Sequence, residues 1–399
     1  MKVGKAIYNI LSQSTDVQSN FPFNTTDYSP TGTELVTNGD FSATGSELVD
    51  NNDFSNGTTD WNNEGNSTIS VGTHEGKSDV ANINITGTST GDVISHSFSW
   101  TEGSSYKVTC DVYVVSGSFR IDSSGSVSSN DFVSSNTLGE WQTLTGYVTS
   151  NITGSQDFWL RSMLDGATGE VSQFYVDSVS IKELGEGWNV QEGWSIGEDK
   201  AICDGSTNNY VRKVLSLPVG NLKVTFEVDS YTSGTLNLWA NLPAFTTIIQ
   251  ATSANTYEAY ITTTSGANNL YFYSVAFVGS FTNVTVEEMV LNKIFPELAP
   301  PDIDAPYIVY SVVSNSPSET KNTNGDIDTA SIEVYGFQDT YNKAVDLGVS
   351  VRAALDRKTG TYNTIEIQST NYVNEQMDVN EARKLWAAIQ DYSIRIKNL

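Results

Sequence analysis

Glu34-Leu35-Val36-Thr37-Asn38-Gly39-Asp40-Phe41 recurs thirteen residues later as Glu47-Leu48-Val49-Asp50-Asn51-Asn52-Asp53-Phe54, and the second copy runs on into Gly57-Thr58-Thr59-Asp60-Trp61. Internal repetition signals repeated structural units, so this pair organises the reading of the whole chain. A module opening here closes at Phe174-Tyr175-Val176-Asp177-Ser178-Val179-Ser180-Ile181-Lys182-Glu183-Leu184. A second opens at Gly187-Trp188, passes through a hairpin at Trp194–Ala201 and closes at Phe281-Thr282-Asn283-Val284-Thr285-Val286-Glu287. From Phe21 to Lys293 the text is rich in Asn, Thr, Ser and Gly, with short alternating runs divided by turn residues and no long helical period. The pattern predicts two tandem β-sandwiches of about 140 and 105 residues.

The two ends have a different texture. Val3, Ala6, Ile7, Ile10 and Leu11 follow the spacing of one helix face. Near the C-terminus, Ala330, Ile332 and Val334 alternate as on a strand. Asp339 is the expected N-cap of a helix whose buried stripe is Tyr341, Ala344, Val345, Gly348, Val351 and Leu355. Strands are predicted at 362–376 and 384–397, which makes the ends together an α+β unit, an antiparallel sheet with two helices. The expected division is 1–30 for the N-terminal part of this core, 31–184 and 185–293 for the two sandwiches, and 294–399 for the C-terminal part.

The 399 residues include 21 basic and 47 acidic side chains, a formal charge of −26, with 17% charged and 38% hydrophobic residues. Such an anionic chain is disfavoured on phosphate backbones, where Lys and Arg must replace counterions, and on anionic membranes. Residues 34–293 hold 30 acids and 10 bases, the two ends 17 and 11, so most of the charge belongs to the middle. His74 and His96 are the two histidines, and Cys110 and Cys203 the two cysteines. That is too little for a His-based triad, a multi-histidine metal site or a disulfide framework. The cysteines fall in separate modules and are expected as buried free thiols. The start, Met1-Lys2-Val3-Gly4, lacks the apolar stretch of a signal peptide, and no window approaches a membrane span, so a soluble protein made in the cytoplasm is expected. No GxxxxGK[ST], GxSxG or HExxH motif occurs, and no acidic pair is singled out by spacing. An enzyme is not expected. Asn-x-Ser/Thr sequences at Asn24, Asn56, Asn66, Asn84, Asn151 and Asn283 are the chance yield of this composition.

Read together, the ends resemble the tail-completion (tail-terminator) proteins of long-tailed bacteriophages. The matching text is Lys5-Ala6-Ile7-Tyr8-Asn9-Ile10-Leu11, Ile294-Phe295-Pro296, Ala305-Pro306-Tyr307-Ile308-Val309-Tyr310, Ile332-Glu333-Val334-Tyr335, Val351–Asp356 and Asp391-Tyr392-Ser393-Ile394-Arg395-Ile396. The resemblance implies a six-membered ring, assembled in the host cytoplasm, that caps the tail tube at the neck of the virion. Its implied partners are other copies of itself, the tail tube protein and a head-tail connector or stopper protein, with genome DNA passing through the lumen without specific binding. The modest −6 of the ends, about −36 over six copies, suits such a passage by like-charge repulsion. Ring contacts are expected at strand edges and along the helix from 340 to 357. This chain departs from the family after Asp16-Val17, where about 270 residues intervene before Ile294.

The middle resembles the jelly-roll carbohydrate-binding modules. In that group a structural calcium often ties the first strand to the last, and the matching positions are Glu47, Asp53 and Asp177. Thr282 replaces the equivalent aspartate in the second module. No other cofactor is implied. Sugar binding needs exposed rings, and Trp61, Trp100, Trp141, Trp159, Trp188, Trp194 and Trp239 all lie in the middle region. Trp61 and Trp188 hold equivalent places, and Trp141 follows Gly139-Glu140 at a position usually in the core. The first reading is a structural virion protein with outward-projecting modules. The alternatives are a glycan-binding phage adhesin that engages host surface glycans, or a neighbouring connector ring.

Overall fold

Long strands whose side chains alternate between apolar and polar account for most of the fold. Ser105–Ser116 buries Tyr106, Val108, Cys110, Val112 and Val114 and turns the intervening side chains outward. The computed structural model describes residues 2–123, 132–165, 168–241, 245–263, 269–320, 323–362 and 364–397. Among them helices occur only at the ends of the chain: α1 (Lys2–Gln13), the single turn α2 (Thr15–Gln18) and α3 (Tyr341–Leu355). The protein is therefore mostly β-sheet.

The first sandwich packs two sheets around Phe54, Trp61, Trp100, Phe119, Phe158 and Phe174. One sheet runs Trp141–Thr149, Ser105–Ser116, Ser172–Leu184, Lys77–Ile85, Ser67–His74, with Thr44–Glu47 beside Ser172–Leu184. The other runs Asn62–Glu64, Val93–Trp100, Gly154–Arg161, Phe119–Ser123, Val133–Ser135.

The second sandwich repeats this order with fewer, longer strands. Gly220–Asn241 and Asn269–Leu291 stay paired through a succession of bulges and so pass from one layer into the other. The corner is tight: a Cβ on Gly234, at φ +78°, would lie 2.0 Å from Ala276 O, and one on Gly279 would lie 2.3 Å from Ser230 O. Glycine is required at both by this approach of backbone to backbone. One layer reads Trp188–Val190, Tyr210–Val214, Asn269–Leu291, Gly220–Asn241, Phe245–Ala251. The core is built on Phe41, Trp188, Trp194, Phe226, Phe272 and Phe281.

Phe41 in that core corrects the expected division at 31–184. The first repeat copy packs into the second sandwich and the second copy into the first, so the sandwiches are nested and not strictly tandem. Each copy makes the same bonds. Trp188 Nε1 donates to Asn38 O (2.8 Å) and Trp61 Nε1 to Asn51 O (3.2 Å). Val284 N donates to Gly39 O and Val179 N to Asn52 O, both at 2.9 Å. Glu34 accepts from Val36 N and Val286 N, while Glu47 accepts from Leu48 N, Val49 N and Ile181 N. Asn38, Phe41, Asn51 and Phe54 all hold φ between 48° and 58°, as do the facing Ser178 and Asn283. Cys110 and Cys203 are buried free thiols in the first and second cores.

Both chain ends share the third core. Val3, Ala6, Ile7, Ile10 and Leu11 of α1 and Leu347, Val351, Ala354 and Leu355 of α3 cover one face of a six-stranded sheet. Its order is Ile294–Pro296, Tyr307–Thr320, Thr323–Gln338, Leu385–Lys397, Ile365–Asn380, Gly360–Tyr362. The first pair is parallel, which corrects the expected all-antiparallel sheet; Ile294–Pro296 reaches its neighbour through a crossover of ten residues. Thr340, not Asp339, is the N-cap of α3, and its side chain makes no capping bond. Asp339 instead pairs with Lys343 at 3.0 Å. Tyr341 is 47% exposed, because the helix begins beyond the edge of the apolar stripe.

The second sandwich joins this core through a ladder. Tyr28, Ser29 and Pro30 pair with Leu291, Val290 and Met289, and Tyr28, Met289 and Leu291 are buried in the terminal core. Gln18 Nε2 donates to Ser12 O at 2.8 Å and to Met289 O at 3.4 Å, and Phe23 meets Tyr260 at 5.3 Å.

Two outcomes follow from this packing. Phe41→Ala removes a fully buried ring from the second sandwich and should cost about 3–5 kcal/mol there. Hydrogen exchange should then speed up in 188–286 and stay unchanged in 61–181, with Phe54→Ala giving the converse; the opposite assignment would contradict the nesting. On Gly348 a Cβ would lie 2.9 Å from Ala388 Cβ. Gly348→Val should therefore destabilise the terminal core by about 1–3 kcal/mol, read as a lower melting temperature.

Candidate functional site

The three carboxylates expected to hold calcium do not converge, and among the described residues no group of three or more His, Cys, Asp or Glu could hold a metal ion. The reason is that each has another partner. Glu47 Oε1 accepts three backbone N–H groups and Oε2 accepts from Ser180 Oγ at 2.5 Å. Asp53 accepts from the backbone N–H and hydroxyl of Ser55, which hold its carboxyl below the usual range. Asp177 accepts from Lys77 Nζ at 3.1 Å. Glu47 does tie first strand to last, by the hydrogen bonds its carboxylate accepts from Ser180 and Ile181.

The tryptophans divide by position. Trp61, Trp100, Trp188 and Trp194 are buried. Trp141 is half-buried on an outer face, a correction to its expected core position, because it pairs with Tyr113, which belongs to the outward-facing phase of the strand Ser105–Ser116. His74 stacks on Tyr175 at 3.6 Å and meets Tyr113 at 4.5 Å. Lys77 lies 4.4 Å above the Trp141 ring and pairs with Asp111 at 2.5 Å as well as with Asp177. The tip of the Ser67–His74/Lys77–Ile85 hairpin thus occupies this aromatic patch, and its Lys77 is paired with two carboxylates.

The outer face of the other sheet differs between the two sandwiches. In the first, Trp159 adjoins a buried ionic group: Arg120 and Arg161 both pair with Asp122, Arg161 Nη1 donates to Thr90 O at 2.7 Å, and the Arg161 guanidinium lies 4.9 Å from the Trp159 ring. In the second, the register sets two rows across neighbouring strands. Arg212, Tyr271 and Trp239 form one row, and Tyr210, Tyr273 and Asn237 the next. These side chains alternate with the core residues Val211, Leu270, Phe272, Leu236 and Leu238 and so face outward. Trp239 stacks on Tyr273 at 4.2 Å, Tyr210 meets Tyr271 edge-on at 5.2 Å, and the Arg212 guanidinium lies 6.0 Å from Tyr271. Asn237 is 4% exposed, and neither its Oδ1 nor Arg212 Nε has a hydrogen-bond partner. Of these residues only Trp239 was singled out from sequence. The available signal was the run Leu270-Tyr271-Phe272-Tyr273, whose two phases are both aromatic.

On the face of the terminal sheet opposite its helices, Tyr307 and Val309 are buried and Tyr335 and Phe337 are half-buried. Tyr307 stacks on Phe337 at 4.7 Å, and Tyr335 lies parallel to Phe337 at 6.3 Å. With Leu298, 82% exposed, and Val309 they line a shallow cleft of about 330 Å³. Tyr335 donates to Glu333 at 2.8 Å, and that bond, with burial, pushes the phenol up to about 12. The two outermost strands of this sheet have three residues each. No helix is long and apolar enough to cross a membrane among the described residues.

Among solved structures, the chain is similar to the tandem CBM22 domain from Paenibacillus barcinonensis Xyn10C, at 12% identity over 62% of this chain and 99% of that one, TM-score 0.29. A chain of the native gene transfer agent virion is 11% identical over 27% of this chain and 79% of its own, TM-score 0.23. A CBM4 structure is 14% identical over 37% and 99%, TM-score 0.23. No curated protein matches the chain. The family described as tail completion protein gp17 matches residues 282–397, the span that holds α3 and the whole six-stranded sheet.

Proposed function

We propose that this protein is a tail terminator, a ring of six copies at the neck of the virion that caps the tail tube and offers a surface to the head connector or stopper protein. The observation that carries the reading is the family match over 282–397 together with α1, which comes from the other end of the chain and completes the same apolar core. The two ends thus build one α+β unit, and the intervening sandwiches form a guest whose ends are hydrogen-bonded to each other. The domain division that fits is a terminal core, a second sandwich inserted into it, and a first sandwich inserted into the second.

In this reading the cleft lined by Tyr307, Tyr335 and Phe337, the short edge strands and the outer side of α3, which exposes Tyr341 and Val349, supply the contacts between copies and to the tube. The excess acid of the middle is the solvated surface of modules that project outward around the ring. The mildly acidic core lets DNA pass without adhering. Assembly takes place in the host cytoplasm, without a membrane partner.

A second reading is a glycan-binding adhesin, favoured by the aromatic rows on the second sandwich. A neighbouring connector ring is the remaining alternative within the same class.

Excision of residues 36–285, which keeps the Tyr28–Pro30/Met289–Leu291 ladder, should leave the ring intact. Native mass spectrometry should report six copies for both the full chain and the excised chain, and tails made with the excised chain should end at normal length. A monomer that forms no ring when mixed with tail tubes would reject the terminator reading. Electron microscopy of the virion neck separates terminator from connector by the position of the ring relative to the last tube disc.

A further inference from the structure

The aromatic face of the second sandwich carries a cation that the sandwich itself does not neutralise. Lys200 is paired with Asp229 and Lys223 with Glu258, and in the first sandwich Arg161 and Arg120 share Asp122. Arg212 instead lies over the ring of Tyr271, with its Nε buried and unbonded. In a chain with 47 acids to 21 bases, a guanidinium left without a carboxylate is poised for an anion from outside.

Four further features define that anion. Trp239 and Tyr273 present half-buried ring surface in the adjoining row positions, which suits the apolar face of a sugar ring. Asn237 Oδ1 is a buried acceptor without a donor, and a hydroxyl would satisfy it. Arg212 and Trp239 lie on strands two spacings apart, about 10 Å, the span of a disaccharide. The chain's net charge of −26 repels a ligand with closely spaced charges, and so favours one carboxylate set among hydroxyls over a phosphate chain.

We propose that this face binds a carboxylate-bearing pyranose. Arg212 pairs with the carboxylate, Trp239 and Tyr273 cover the ring, and Asn237 accepts a hydroxyl proton. The inference rests on the glycan-binding reading and specifies its ligand class; hexuronates and sialic acids share the chemistry.

Isothermal titration of the full chain tests it with trigalacturonate, the methyl ester of that trisaccharide, sialyllactose and lactose. At least one acid should bind about tenfold or more tighter than its neutral counterpart, and the advantage should shrink as salt is raised. Which acid is preferred identifies the source of the carboxylate. Arg212→Gln should abolish the preference, Arg212→Lys should retain part of it, and Trp239→Ala should weaken acid and neutral sugars alike, with melting temperatures checked for each variant. Equal binding of acid and neutral sugars, unchanged in Arg212→Gln, would overturn the acidic ligand and leave glycan binding standing. Absence of binding by all four sugars would overturn both.

Discussion

The pairing of Tyr28, Ser29 and Pro30 with Leu291, Val290 and Met289 is the constraint on which the rest depends. A fold interrupted by more than 250 residues can close only if the two ends of the interruption are held together, and here an antiparallel ladder holds them. Tyr28, Met289 and Leu291 turn their side chains into the terminal core, while a few residues further out Val36 and Val286 turn theirs into the core of the second sandwich. The same strands belong to both units, so host and guest are joined by backbone hydrogen bonds and shared burial as well as by the chain.

The device is used twice. Asn38 and Trp188 bond, and Thr44 and Leu184 pair, where the first sandwich departs from the second and returns to it, while Gly39 with Val284 and Asn52 with Val179 bond each repeat copy to the last strand of its own sandwich. At each junction a tryptophan indole closes onto an asparagine carbonyl and a glutamate accepts the N–H groups of the last strand. Nesting accounts for the direct succession of the two copies in sequence. The first opens the outer sandwich, the second opens the inner one, and the outer one resumes only at Trp188. At this junction Glu47 ties the first strand to the last by accepting from Ile181 N and Ser180 Oγ, and Asp177 pairs with Lys77.

Much of this was legible in the sequence because the signals are local. The spacing of Val3, Ala6, Ile7, Ile10 and Leu11 sets a helix face, and the alternation at Ala330, Ile332 and Val334 sets a strand face, whatever lies opposite. The parallel placement of Ile294–Pro296 was not legible, since three residues carry no period and either direction buries Ile294. Nor was the position of Trp141, which alternation alone assigns to one face without saying which face is the core. The aromatic rows of the second sandwich were hidden for the same reason. Tyr271 and Tyr273 come from one strand, Arg212 and Tyr210 from another, Trp239 and Asn237 from a third, and only the register sets them side by side.

What the sequence determined by itself was the kind of each piece: helical ends, β-rich middle, two modules opened by one repeated phrase, and an acidic surface concentrated in the modules. Those properties follow from side-chain period and composition, which act over a few residues. The tertiary structure decided which copy of the repeat serves which sandwich, how the two chain ends meet in one core, and which rings stand together on one sheet face. Those depend on hydrogen bonds between strands more than a hundred positions apart, as between Trp188 and Asn38 or Glu34 and Val286, and the cost of closing such loops is repaid only when the whole sheet forms.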